Sequence, residues 1–151
     1  MSQATKLNKS ILDTDTYSEI LKGKNSQVAS NAKSYLFHHE SFTLCVLTIF
    51  EIVWGLQRME RTSRIKELEQ ELLNVDVISI DVEIATLSGR IFGELYRNGN
   101  QIGSIDALIA ATALQYDLTL VTGNTRHFER VQAFGYPLKL TNWKLSQQEM
   151  T

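Results

Sequence analysis

A chain of 151 residues is long enough for one domain that buries roughly 68–70% of its unfolded surface. Its 43% hydrophobic and 21% charged residues exclude general disorder, and eight glycines with one proline exclude a collagen-like, linker-like or turn-dense all-β chain. Fifteen Lys and Arg against 17 Asp and Glu give a formal net charge of −2, which excludes a uniformly basic surface but not a local basic rim.

Cys45 is the one cysteine, so it forms no internal disulfide. Its apolar surroundings predict a buried, inert thiol suited to a reducing cytoplasm. Residues 1–10 are polar and carry no apolar core, so no secretory signal is expected. The apolar stretch from Leu44 to Phe50 is less than half of the roughly 20 residues that span a bilayer. A cytoplasmic chain without membrane association is expected.

Short β-rich runs alternate with helical patterns. Ser10–Asp13 reads as a strand, followed by a helix to about Leu21, a break at Lys22-Gly23-Lys24, and a helix from Ser26 to Phe37. Phe42–Val46 is a strand, and Thr48 to about Glu60 a helix. Ser63 is the expected N-cap of a helix carrying Ile65, Leu68 and Leu72. Val77–Ile80 is a strand, after which Asp81 caps a helix with Ile84, Leu87, Ile91 and Leu95 on one face, closed by Asn98-Gly99. Ser104 opens a helix to about Tyr116. Leu118–Val121, Asn124–Arg130 and Leu138–Leu140 complete the order strand, short helix, strand. This alternation predicts βαβ crossovers and a mainly parallel sheet covered on both faces. Ligands of such sheets bind beyond the carboxyl ends of the strands, at a topological switch point.

Three acids break the patterns around them. Asp13 ends the first apolar strand, where its ordinary role is a helix N-cap. Glu51 sits among Ile49, Phe50, Ile52 and Val53, with Leu47, Thr48, Trp54 and Gly55 at helical spacing. Burying an ionised carboxylate there without a partner costs several kcal/mol. Asp106 opens the helix Ser104–Ala113, which is apolar on nearly every side and so reads as buried; its ordinary role is to complement the helix dipole. Carboxylates about 4 Å apart repel by roughly 4 kcal/mol at an effective dielectric of 20. A cluster of them needs a positive neutraliser, and all-oxygen donors select a hard cation such as Mg²⁺ or Mn²⁺. Cysteine and histidine sets with zinc spacing are absent, and His38-His39 reads as part of a surface face.

Four segments carry a resemblance: Ile11-Leu12-Asp13-Thr14-Asp15, Thr48-Ile49-Phe50-Glu51, the stretch from Ile105-Asp106 to Thr112, and Leu120-Val121-Thr122-Gly123-Asn124-Thr125-Arg126-His127-Phe128. Their order and spacing resemble those of PIN-domain ribonucleases, particularly VapC-type toxins of bacterial toxin–antitoxin pairs. The likeness runs from about residue 10 to Trp143. It implies a three-layer α/β sandwich with a mainly parallel central sheet, one domain over residues 1–151 with an ordered core about 10–143 and short polar tails.

The resemblance also implies a Mg²⁺-dependent endoribonuclease, with Mn²⁺ as the alternative ion. Asp13, Glu51 and Asp106 match the family's first three acidic positions and would hold the metal. Asn124 stands at the fourth, where an uncharged amide either ligates or orients water; the plain alternative is a helix cap. Implied partners are an RNA substrate, a cognate VapB-like antitoxin and a second copy of the chain. Operator DNA would be reached only through the antitoxin. Thr14, Thr48 and Thr122 flank the acids and are expected to orient them by hydrogen bonds. Arg58, Arg61, Arg64 and Lys66, with Arg126 and Arg130, would steer RNA, or pair within their helices with Glu67 and Glu69. Trp54 is expected in the core, with base stacking as the alternative.

Two other readings compete. A PIN-like module that has lost activity would act by binding alone. Asp13-Thr14-Asp15 also resembles the Asp-x-Asp motif of haloacid dehalogenase-type phosphatases, which want Thr or Val where Tyr17 stands.

Overall fold

The computed structural model describes residues 7–150. It opens with β1 (Ser10–Leu12), α1 (Thr14–Lys22), α2 (Ser26–His39), β2 (Thr43–Cys45), α3 (Val46–Arg58) and α4 (Thr62–Leu72). It continues with β3 (Asp76–Ile78), α5 (Val82–Arg97), α6 (Ser104–Gln115), β4 (Thr119–Val121), α7 (Thr125–Gln132) and β5 (Lys139–Thr141). Every expected element is present, with ends moved by one or two residues, as fraying helix termini allow.

Local chemistry accounts for most boundaries. Asp13, Asn25 and Asp81 each cap a helix by accepting a backbone N–H three residues on. Gly23 closes α1 at φ 65°, a left-handed conformation that costs glycine little. Ser63 is not the cap of α4, however. The cap position is Arg61, no side chain caps it, and Ser63 lies within the first turn.

The five strands form one parallel sheet in the order β3-β2-β1-β4-β5. The chain steps outward from β1 through β2 to β3, then returns to lay β4 on the other side of β1. The switch point therefore lies between β1 and β4.

Alternation along the strands splits the core in two. Ile11, Cys45 and Leu120 face a layer that includes Ile84 and Ile91 of α5 and Val131 of α7. Leu12, Leu44 and Val121 face Tyr17, Val28, Tyr35, Ile52, Leu68 and Trp143 on the opposite side. The result is the three-layer sandwich expected. Ala107, Ala110, Ala111 and Ala113 make α6 the buried helix its composition predicts.

The end of the chain departs from expectation. Asn31 donates from Nδ2 to the carbonyls of Trp143 and Leu145, at 2.9 Å each. Met150 packs on the core that holds Trp143. Residues 144–150, read as a polar tail, are thus held against α2; the N-terminal tail, residues 1–6, lies outside the described residues. His39 is only half surface-like, because its ring stacks on Tyr35 and its Nε2 bonds the Leu7 carbonyl at 2.7 Å. Among the described residues, no helix is long and apolar enough to cross a membrane.

Candidate active site

Strand pairing brings the first acid to the switch point. Leu12 pairs with Val121 across β1 and β4, so Asp13 and Thr122 follow side by side at the carboxyl edge. The Asp13 amide donates to the Val121 carbonyl at 3.0 Å. Asp13 is 7% exposed. Its Oδ1 accepts the Thr16 amide at 2.8 Å. Burial pushes the Asp13 carboxyl above its usual 3.8, against hydrogen bonds from Thr122 and Thr16 that favour the charged form. The N-cap and candidate catalytic roles of Asp13 therefore coexist in one side chain.

Glu51 reaches the same edge from α3. Thr14, the first residue of α1, donates its hydroxyl to Glu51 Oε1 at 2.5 Å and lies 3.4 Å from the Thr48 hydroxyl. Burial raises the Glu51 carboxyl above its usual 4.5; the Thr14 bond opposes this, and the charges of Asp106, Asp15 and Asp13 add to it. Asp13 and Asp106 thus both lie within electrostatic reach of Glu51.

Asp106 lies in the first turn of α6, whose N-cap is Gly103. Its Oδ2 accepts a hydrogen bond from His127 Nε2 at 2.9 Å. A methyl group on Gly103 would stand 3.2 Å from that same oxygen. His127 lies within the matching segment Leu120–Phe128, but only tertiary contact reveals its partner.

The loop from β4 to α7 holds the fourth position. Thr122 Oγ1 accepts the Asn124 amide at 3.0 Å, and its own hydrogen goes to Asp13. Asn124 occupies the N-cap of α7, yet its side chain makes no cap hydrogen bond. The plain capping alternative is therefore unfulfilled, and the exposed amide remains uncommitted.

Among the described residues, no lysine or arginine forms an ion pair with Asp13, Glu51 or Asp106. The acids supply hard oxygen donors, which suit a hard divalent cation. As the side chains stand, no group of three His, Cys, Asp or Glu among the described residues is gathered tightly enough to hold an ion. Thr14 engages one oxygen of Glu51 and His127 one oxygen of Asp106, leaving the second oxygen of each for a ligand. The donor chemistry fits the ion.

A groove of about 240 Å³ opens beside Glu51, floored by Ile52, Leu56 and Leu68 and edged by Lys22, Arg61 and Arg64. Arg64 also pairs with Glu67 at 2.9 Å, an exposed contact of small energetic weight. Arg130 turns away to the Gln101 carbonyl. Trp54 is not in the core: it is 58% exposed, and the Arg58 guanidinium lies 5.1 Å over its ring. Apolar residues spread well beyond the face of α3 that packs inward, and Phe50 is exposed as well.

The parallel sheet, its flanking helices and the acids near its carboxyl edge are those of a PIN-type α/β sandwich. The family model described as PIN domain matches residues 10–133. The chain belongs to the PIN-domain family, in its VapC group. A tRNA(fMet)-specific endonuclease VapC of Shigella flexneri is 32% identical over 126 residues, spanning 82% of this chain and 92% of the relative. Ribonuclease VapC2 of Haemophilus influenzae is 31% identical over 138 residues, spanning 89% of this chain and 98% of that protein. In a DNA-bound VapBC structure from Salmonella typhimurium, the matched chain superposes with a TM-score of 0.75 at 25% identity, covering 91% of this chain and 99% of its own.

Proposed function

We propose that this chain is a divalent-metal-dependent endoribonuclease that hydrolyses RNA phosphodiester bonds and acts as the toxin of a VapBC-type pair. The observation that carries the reading is the approach of Asp13, Glu51 and Asp106 to one sheet edge, where among the described residues no lysine or arginine forms an ion pair with them. The ribonuclease names of relatives that align along most of the chain support it.

Asp13 and Asp106 would hold Mg²⁺, or Mn²⁺ in its place, through carboxylate oxygens. Once bound, such an ion stabilises charge on the phosphoryl oxygens and makes a nearby water acidic. Glu51, steadied at Oε1 by Thr14, offers Oε2 to ligate or to orient the attacking water. Thr122 fixes Asp13 from the side, and the Asn124 side chain, which makes no cap hydrogen bond, would ligate or orient a water. Lys22, Arg61 and Arg64 on the groove edge suit the phosphates of an RNA strand.

The same reading carries partners with it. A VapB-like antitoxin would cover the site, and operator DNA would be bound through that antitoxin. The exposed Phe50 and Trp54 on α3 suit pairing of two copies. The buried thiol of Cys45 suits a reducing cytoplasm. Asp15 is exposed and no lysine pairs with Asp13 among the described residues, which disfavours the phosphatase alternative.

The test is RNA cleavage with Mg²⁺ or Mn²⁺, comparing wild type with Asp13→Asn and Asp106→Asn. Losing direct metal contacts worth several kcal/mol corresponds to a rate loss of about 1000-fold. A wild type inactive with either ion would instead favour the binding module.

A further inference from the structure

We propose that His127 is a positioning residue that presents Asp106 to the divalent ion; this rests on the metal-dependent reading above. Among the described residues, the Asp106 carboxylate is held at one oxygen. His127 Nε2–H donates to Oδ2 at 2.9 Å, and the missing side chain at Gly103 leaves that oxygen room that a Cβ, 3.2 Å away, would crowd. Oδ2 is thereby engaged by a donor, and Oδ1 is the atom left to ligate. A carboxylate on the first turn of a helix otherwise rotates among staggered conformers. Fixing one oxygen removes that freedom before the ion arrives. Hydrogen bonds to ligating carboxylates also set their orientation and affinity.

The imidazole is itself well placed to be rigid. Its side chain is 22% exposed, and its ring meets Phe128 edge-on at 5.5 Å. The His127 amide bonds the Asn124 carbonyl at 3.2 Å, and the Asn124 amide bonds Thr122. One short segment, residues 122–127, thus holds Asp13 through Thr122 and Asp106 through His127. Two acids distant in sequence are set by a single loop and the helix turn that follows it.

The experiment measures Mn²⁺ affinity by calorimetry on full-length wild type, His127→Ala, His127→Gln and Asp106→Asn, with RNA cleavage as the second readout. Glutamine carries an N–H donor at a reach close to that of imidazole Nε2. His127→Ala is expected to weaken Mn²⁺ binding about 10- to 100-fold, and His127→Gln to recover most of that loss. A structural role alone would not be rescued by glutamine. Mn²⁺ affinity unchanged or raised in His127→Ala, or lost equally in His127→Gln, overturns the inference while the metal reading stands. A wild type that binds no Mn²⁺ overturns the metal reading and this inference with it.

Discussion

Asp13 and Thr122 leave the ends of adjacent parallel strands side by side, set there by the pairing of Leu12 with Val121. The hydroxyl of Thr122 bonds the Asp13 carboxylate and accepts the Asn124 amide at 3.0 Å. One threonine thereby links the first acid to the fourth position of the site. Thr122→Val keeps the β-branched shape and deletes both bonds. Cleavage is expected to fall about 10- to 100-fold, as for other groups that orient ligating carboxylates, with the melting temperature changed far less. Steady-state kinetics and a thermal melt on the same preparation check this.

The raised carboxyl values have a defined consequence for stability. In the folded chain Asp13 holds its proton more tightly than its ordinary 3.8, and Glu51 more tightly than 4.5. Each therefore contributes stability that is fully present below those values and is lost as pH rises through the higher folded-state values. At neutral pH both ionised acids destabilise the metal-free fold. Asp13→Asn keeps the helix cap, since asparagine caps as well as aspartate, and removes the charge. In chelator at pH 7 this variant is expected to be more stable than wild type, with the advantage shrinking toward pH 4. Mg²⁺ at 100 times its Kd would stabilise wild type by about 2.7 kcal/mol and Asp13→Asn much less. Urea titrations at several pH values, with and without Mg²⁺, measure both effects.

The acids themselves were legible because a carboxylate in an apolar stretch is costly and therefore conspicuous. Asp13, Glu51 and Asp106 all stand out in this way, and the alternating strands and helices place them at one sheet edge. The contacts that orient them were less so. His127 touches Asp106 across 21 residues, and nothing in helical or strand periodicity encodes that meeting. Trp54 is expected in the core yet is exposed for a related reason: Phe50, Val53 and Trp54 are all apolar, and the sequence gives little hint of which of them the sheet covers. Residues 144–150 look like a solvated tail in sequence, because their anchor is Asn31, distant in sequence on α2.

Gly103 is a second silent contributor. An alanine there would bring a methyl group 3.2 Å from Asp106 Oδ2, tighter than ordinary van der Waals contact. The backbone of Gly103, at φ −66° and ψ 151°, accepts any residue without strain. Gly103→Ala is therefore expected to fold normally but to displace the Asp106 carboxylate, lowering cleavage about tenfold or more. Circular dichroism beside the cleavage rate separates the two effects.

Asn31 governs the end of the chain. Asn31→Ala removes both donations to the carbonyls of Trp143 and Leu145. Leaving those acceptors unpaired is expected to cost about 2–3 kcal/mol and to expose residues 144–150 to proteolysis. Among the described residues, the Asn31 side chain bonds Trp143 and Leu145 and none of Asp13, Glu51 or Asp106, so cleavage by the intact fold should change little. Limited proteolysis with mass spectrometry, alongside denaturant titration, reads this directly.

The central claim is that Asp13 and Asp106 share one divalent ion, and a crystal grown with Mn²⁺ tests it most directly. Anomalous scattering should reveal an ion at the carboxyl edge between β1 and β4, ligated by oxygens of both aspartates with Glu51 beside it. An ion bound elsewhere, or an empty edge with the three carboxylates turned apart at saturating Mn²⁺, would contradict the account.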